Sequence, residues 1–189
     1  MDSKLDAMAV VINSETKLTY EDYVLLPEDG KIHEIIDGEH YMTPAPETYH
    51  QTLSRHIQFQ LYRQIEEREL GFIFNAPTDV QLSEIDIVQP DLLVILASRK
   101  SIISPTKIIG PPDLVIEILS ESTGRKDREL KRDLYQKAKV PEYWLVDPKG
   151  QQITVYRLKG GSYETLGSFH DEVPYEAVEG VVVDLSRVW

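Results

Sequence analysis

The stretch "DLVIEILS", residues 113–120, places a glutamate inside an apolar run otherwise made of Leu114, Val115, Ile116, Ile118 and Leu119. A short run of aliphatic and β-branched residues is the pattern of a strand buried on both faces, as in the parallel part of an α/β sheet. An ionised carboxylate in such a place costs several kcal/mol unless something pairs with it. Glu117 therefore needs a partner, and the partner bears on what the protein does.

The flanks of this strand define the architecture. Pro111 and Pro112 precede it, and a helix over 125–139 follows, leading into a second strand, "EYWLVD", residues 142–147. A strand, helix and strand in this order form a right-handed crossover, so 113–119 and 142–147 are expected to run parallel. Upstream, "FIFNAPTDVQLS" (72–83) and "DLLVILA" (91–97) supply two strands, the second opening directly after Pro90. A long amphipathic helix over 47–69 carries Leu53, Ile57, Leu61 and Ile65 at helical spacing, with Gly71 as its stop. Before it, "KIHEIIDGEHYM" (31–42) reads as a hairpin, because Asp37-Gly38 is a turn dipeptide suited to twisted paired strands. "LTYEDYVLL" (18–26) begins a short helix, with Thr19 as N-cap and Asp22 in a capping-box position. Beyond residue 150, "QQITVYRL", "YETL" and "GVVVDL" look like antiparallel additions. The fold class is α/β, a mixed sheet flanked by helices. Residues 1–17 read as a loose leader before a single domain over 18–189.

Composition narrows the function classes. In 189 residues there is no cysteine, which removes disulfides, thiolate metal sites and cysteine nucleophiles and fits a reducing interior. The first residues lack the pattern of a signal peptide, and the longest apolar run, "LLVILA", is far too short to span a membrane. A cytoplasmic location is the expectation. The net charge of −12 argues against a protein that coats itself with nucleic acid. The charge is uneven: residues 97–139 hold ten Lys/Arg against six Asp/Glu, so they carry +4 and the remainder −16. The basic segment is either a local binding surface or a solvated helix with neighbouring ion pairs.

The helix over 125–139 holds the most informative local pattern. Its sheet-facing stripe contains Leu130, Leu134 and Ala138, and takes in Asp127, Lys131 and Tyr135 at i, i+4, i+8. Charged groups on a stripe that packs beside Glu117 either pair with one another or converge on something. A Lys131–Glu117 ion pair serving structure alone is one reading. Asp91 is the third piece, because chemistry in open α/β sheets gathers at strand ends. Taken alone, it is an ordinary turn or cap residue. Two carboxylates and a lysine suit Mg²⁺, a hard ion that takes one or two carboxylates and keeps several waters. Such an ion lowers the pKa of a bound water and neutralises a phosphoryl group under in-line attack, while an ammonium stabilises the charge that develops.

At these residues the chain resembles a known family. "QPDLLVI", "GPPDLVIEILSEST", "DRELKRDLYQKAKVPEYWLVDP" and "VYRL", with "EIIDGEHYM" upstream, are similar to the Uma-two family over roughly residues 19–185. That family belongs by fold to the restriction-endonuclease-like PD-(D/E)XK nucleases. The resemblance implies a Mg²⁺-dependent endonuclease acting on DNA, with Mn²⁺ as a substitute ion. It implies Asp91 and Glu117 as metal ligands and catalytic carboxylates; the backbone carbonyl of Ile118, beside Glu117, is a candidate third ligand. It implies Lys131 as the catalytic lysine, and Asp127, Tyr135 and Glu34 in support. A homodimer is the corresponding expectation, since cutting both strands of a duplex calls for two related sites. The wider superfamily places lysine two residues after the strand acid, where this chain has Leu119. The resemblance moves that function to Lys131 on the following helix, with Lys126 as runner-up. Lys139 stands where glycine is usual before "VPEYW".

Other residues are set against plainer alternatives. Glu34 alternates with Ile32 and Ile36, so it either shares their inward face or is a solvated edge-strand carboxylate. His33, His40, His50, His56 and His170 show no zinc spacing, and His50 reads as a surface or capping residue. Tyr143 and Trp144 belong to the core of a strand. Two rival functions remain open: a non-catalytic nucleic-acid- or protein-binding member of the same fold, and a structural ion-pair network in an oligomeric scaffold.

Overall fold

The computed structural model describes residues 17–120 and 129–189 in full, together with the backbone of 125–128. The expected leader, except for Lys17, and the side chains of Lys126 and Asp127 lie outside the described residues. A four-residue helix α1 (Tyr20–Tyr23) opens the described chain, with the Asp22 carboxylate accepting from the Thr19 backbone N–H at 2.9 Å as the capping box requires. Strands β1 (Ile32–Ile36) and β2 (Glu39–Thr43) form the expected hairpin. Its turn needs two residues in the left-handed region, and Asp37 (φ 50°) and Gly38 (φ 77°) supply them.

Helix α2 (Thr48–Leu61) runs into a wider π-type turn over Tyr62–Glu66. Gly71 does not end this helix, contrary to expectation. Glu69, at φ 58°, makes the left-handed exit, and Gly71 is the first residue of β3 (Gly71–Asn75). Its role is close approach: a Cβ there would lie 2.6 Å from the Ile95 carbonyl oxygen. The segment expected as one strand over 72–83 divides into β3 and β4 (Val80–Ser83), which join different sheets, and β5 (Asp86–Val88) follows. The remaining strands are β6 (Leu92–Leu96), β7 (Ile108–Ile109), β8 (Leu114–Ile118), β9 (Glu142–Asp147), β10 (Gln152–Lys159), β11 (Ser162–Phe169), β12 (Glu172–Pro174) and β13 (Val182–Asp184). Helix α3 (Arg125–Lys137) connects β8 to β9, which pair in parallel as the crossover demands.

The fold class is the expected mixed α/β, but the strands make more than one sheet. A six-stranded sheet runs β11-β10-β9-β8-β6-β3, a five-stranded sheet runs β2-β1-β5-β4-β7, and β12-β13 form a two-stranded ribbon. Alternation along the six-stranded sheet divides its apolar side chains between two cores. Leu92, Val94, Leu114, Ile116, Ile118, Trp144 and Val146 pack with α2 and the ribbon. Leu93, Ile95, Val115 and Tyr143 pack with Leu134 and Tyr135 of α3 and with Ile36, Val80 and Val88 of the five-stranded sheet. The segment Gln89-Pro90-Asp91 carries the chain from β5 of one sheet to β6 of the other. The candidate site lies at this seam.

Candidate active site

Glu117 has the same strand parity as Val115, so it faces α3 and the five-stranded sheet rather than α2. Asp91 has the parity of Leu93, and the register pairing Leu92 with Ile116 carries Asp91 to the position across from Glu117. The two carboxylates thus belong to one face at one end of adjacent strands. Both line a cavity of about 510 Å³ whose other walls include Glu34, Ile36, Tyr41, Met42, Pro44, His50 and Lys131.

Lys131 is the partner that the buried glutamate needs. Its Nζ lies 2.9 Å from Glu117 Oε1 and 3.0 Å from Glu34 Oε1. The Tyr135 hydroxyl, one turn further along α3, donates to the same Glu117 oxygen at 2.6 Å. Glu34 is inward-facing and buried, on a strand flanked by both β2 and β5, so the solvated-edge alternative does not hold. Its Oε1 also accepts the Gln89 backbone N–H at 2.9 Å, which ties the hairpin to the seam. Glu34, Lys131, Glu117 and Tyr135 therefore form one continuous network drawn from three elements.

Electrostatics follow from this geometry. Burial, helped by the charges of Asp91 and Glu34, pushes the Glu117 carboxyl up to about 7, although Lys131 and Tyr135 oppose it. Burial would lower Lys131, but Glu117 and Glu34 outweigh it and hold the ammonium well above its ordinary value. Burial and Glu117 together raise Tyr135 well above the usual phenol range, so it remains a hydrogen-bond donor.

Pro90 shapes the other half of the site. The Leu119 N–H points to β9, bonding Val146, so the alternate residue Ile118 presents its N–H and C=O towards β6. The residue that would stand opposite Ile118 is Pro90, which has no N–H to give. Two side chains substitute for that missing ladder step. Asp91 Oδ2 accepts the Ile118 N–H at 2.8 Å, and His50 Nε2 donates to the Ile118 carbonyl at 3.1 Å. His50 Nε2 also lies 3.2 Å from Asp91 Oδ2. Both neighbours are acceptors only, so the ring hydrogen sits on Nε2. Burial lowers the His50 pKa, but Asp91 and the Ile118 carbonyl leave it raised overall.

His50 is thus neither a surface nor a capping residue, as the sequence had suggested. The available signal was helical spacing: His50 precedes Leu53 and Ile57 by three and seven residues and shares their stripe. The structure brings Asp91, Glu117, Lys131, Glu34 and Tyr135 together; Asp127 and the runner-up Lys126 are outside the described side chains.

A hard divalent ion calls for oxygen ligands. Among the described residues, no group of three or more His, Asp or Glu side chains stands ready to hold a metal. Two carboxylates plus water suffice for Mg²⁺, however. The hydrogen bonds of the site use Asp91 Oδ2, Glu117 Oε1 and Glu34 Oε1, leaving the second oxygen of each carboxylate without a hydrogen bond among the described residues. The residues present fit such an ion.

Comparison with known proteins bears on the family and the fold. A family model described as "Uma2: Putative restriction endonuclease" matches residues 20–186. A crystal structure described as "a putative nuclease belonging to DUF820", from Anabaena variabilis, superposes with a TM-score of 0.76 at 22% identity. That likeness covers 90% of this chain and 97% of the other, and it shows a shared fold. No curated protein matches the chain.

Proposed function

The chain belongs to the Uma2 family, and from that premise we propose that it is a Mg²⁺-dependent endonuclease that hydrolyses phosphodiester bonds in DNA. One observation carries the reading: Glu34 and Glu117 share the Lys131 ammonium, and a third carboxylate, Asp91, lines the same cavity. Three carboxylates beside one ammonium are a set of oxygen donors that suits a hard divalent cation. Asp91 and Glu117 would hold Mg²⁺, with Mn²⁺ able to replace it. The bound ion supplies an acidified water and neutralises charge on the phosphate.

The chain's own groups do the rest. Lys131 has three hydrogens, of which two go to Glu34 and Glu117. The third has no partner among the described residues, and it meets either the attacking water or a phosphate oxygen. Glu34 holds the ammonium from the opposite side, and Tyr135 fixes the Glu117 oxygen that Lys131 uses. Because this network is assembled before substrate arrives, the ammonium needs no reorganisation as charge builds on the phosphate.

The test is cleavage of labelled DNA with and without Mg²⁺, using Asp91→Ala and Lys131→Met as controls. Cutting that requires the ion and disappears in both variants supports the reading. Folded wild-type protein that binds DNA without cutting it favours the rival, a non-catalytic binding module, to which the net charge of −12 lends weight. A homodimer is part of the proposal, since duplex cleavage calls for two sites. Sedimentation at micromolar concentration would remove it if only a 21.7 kDa species appears.

A further inference from the structure

We propose that His50 is a positioning residue that aims Asp91 at the cation, an assignment that rests on the metal-dependent nuclease reading. Asp91 Oδ2 accepts the Ile118 N–H at 2.8 Å, and His50 Nε2 stands 3.2 Å from the same oxygen. With that oxygen engaged, the rotation of the carboxylate is fixed and Oδ1 is the atom left for a ligand. The same Nε2 hydrogen takes the Ile118 carbonyl at 3.1 Å, so His50 also fixes the last peptide of β8, next to Glu117. Without His50, the Ile118 carbonyl would face a proline and the Asp91 carboxylate would lose the imidazole packed beside it. The positions of Asp91 and Glu117 relative to each other would then be set only by the fraying ends of two strands.

The geometry separates this role from that of a ligand. A nitrogen that binds a metal must give up its hydrogen, and His50 would have to move that hydrogen to Nδ1. Nδ1 is buried and has no hydrogen-bond partner among the described residues. Metal-binding histidines almost always hand their other N–H to a carboxylate, a carbonyl or water. His50 has the reverse arrangement, with its hydrogen directed at the two ligand-bearing groups and a bare nitrogen behind. It acts on the metal through Asp91.

The experiment is a Mn²⁺ titration of the full chain followed by electron paramagnetic resonance, comparing wild type, His50→Leu, His50→Gln and Asp91→Ala. Leucine keeps bulk and removes the donor, whereas the glutamine amide returns a donor near the place of Nε2. The expected result is a weakening of Mn²⁺ binding by about tenfold to a hundredfold in His50→Leu, with recovery to within a few-fold in His50→Gln. Unchanged affinity in a folded His50→Leu, or no recovery in a folded His50→Gln, overturns the assignment while leaving the nuclease reading intact. No Mn²⁺ binding by wild type overturns both. A second measurement needs no variant: nitrogen-15 spectra of the imidazole are expected to show a protonated Nε2 and a bare Nδ1, with and without Mg²⁺. Loss of the Nε2 proton when Mg²⁺ is added would make His50 a ligand and refute the positioning role.

Discussion

Replacing Lys131 with methionine keeps most of the side-chain stem and removes the charge between two buried carboxylates. Lys131 Nζ stands 2.9 Å and 3.0 Å from Glu117 and Glu34, which are themselves only 9% and 4% exposed. At an effective dielectric of about 20, each contact is worth about 5–6 kcal/mol of attraction before desolvation is subtracted. Desolvation of three charges takes back much of this. Breaking a buried pair by removing one partner nevertheless costs about 3–5 kcal/mol, because the remaining charge is stranded. The expected deficit for Lys131→Met, measured by urea unfolding in EDTA at pH 8, is in that range. The sign of its pH dependence follows from Glu117. Lys131 opposes the upward shift of the Glu117 carboxyl, so without it Glu117 takes up its proton at a higher pH than in wild type, and the variant regains stability first as pH falls. The deficit should therefore shrink between pH 8 and pH 5. Adding Glu117→Gln removes the stranded charge and should recover part of the loss, a coupling that a double-mutant cycle measures directly. A variant within about 0.5 kcal/mol of wild type, or a deficit independent of pH, would refute the claim that this ammonium neutralises the site.

Three further outcomes are expected. Gly71→Ala places a Cβ 2.6 Å from the Ile95 carbonyl oxygen, so β3 and β6 must separate; thermal unfolding should report a loss of about 1–3 kcal/mol. Tyr135→Phe deletes the 2.6 Å bond to Glu117 in a fully buried setting; the cost should be about 1–3 kcal/mol by urea unfolding, since a charged acceptor loses its donor. Asp91→Ala should lower Mg²⁺-dependent cleavage by about a hundredfold or more, and calorimetric unfolding should show Mg²⁺ stabilising wild type but not the variant. Stabilisation of both to the same degree would place the ion elsewhere.

The parts of the fold legible in the sequence are those where one local rule acts alone. The Asp37-Gly38 turn follows from a need for two positive φ values, and the parallel pairing of β8 with β9 from the handedness of crossovers. The partition into sheets is a different kind of fact. Asn75 and Val80 are five residues apart in one apolar stretch, yet β3 pairs with β6 and β4 with β5 and β7. No side-chain alternation tells a strand which of two sheets to join; that choice depends on long-range burial of both cores. Gly71 shows a related ambiguity. A glycine after a helical stripe looks like a C-cap, but here an adjacent backbone, distant in sequence, is what excludes a side chain.

The candidate site divides along the same line. Glu117, Glu34 and Lys131 were legible because a charge in an apolar pattern carries a cost that some partner must offset, and there were few partners to choose from. Asp91 and His50 carry no such local anomaly, since an aspartate after a proline and a histidine near a helix start are both ordinary. What makes them informative is Pro90, whose missing N–H leaves the Ile118 carbonyl at the end of β8 unmatched by the ladder. A buried backbone group does not stay unpaired. One side chain from the turn and one from α2 therefore converge on the Ile118 peptide. The proline that ends β6 pairing thus gathers, at the open end of the sheet, the aspartate that the metal reading requires and the histidine that orients it.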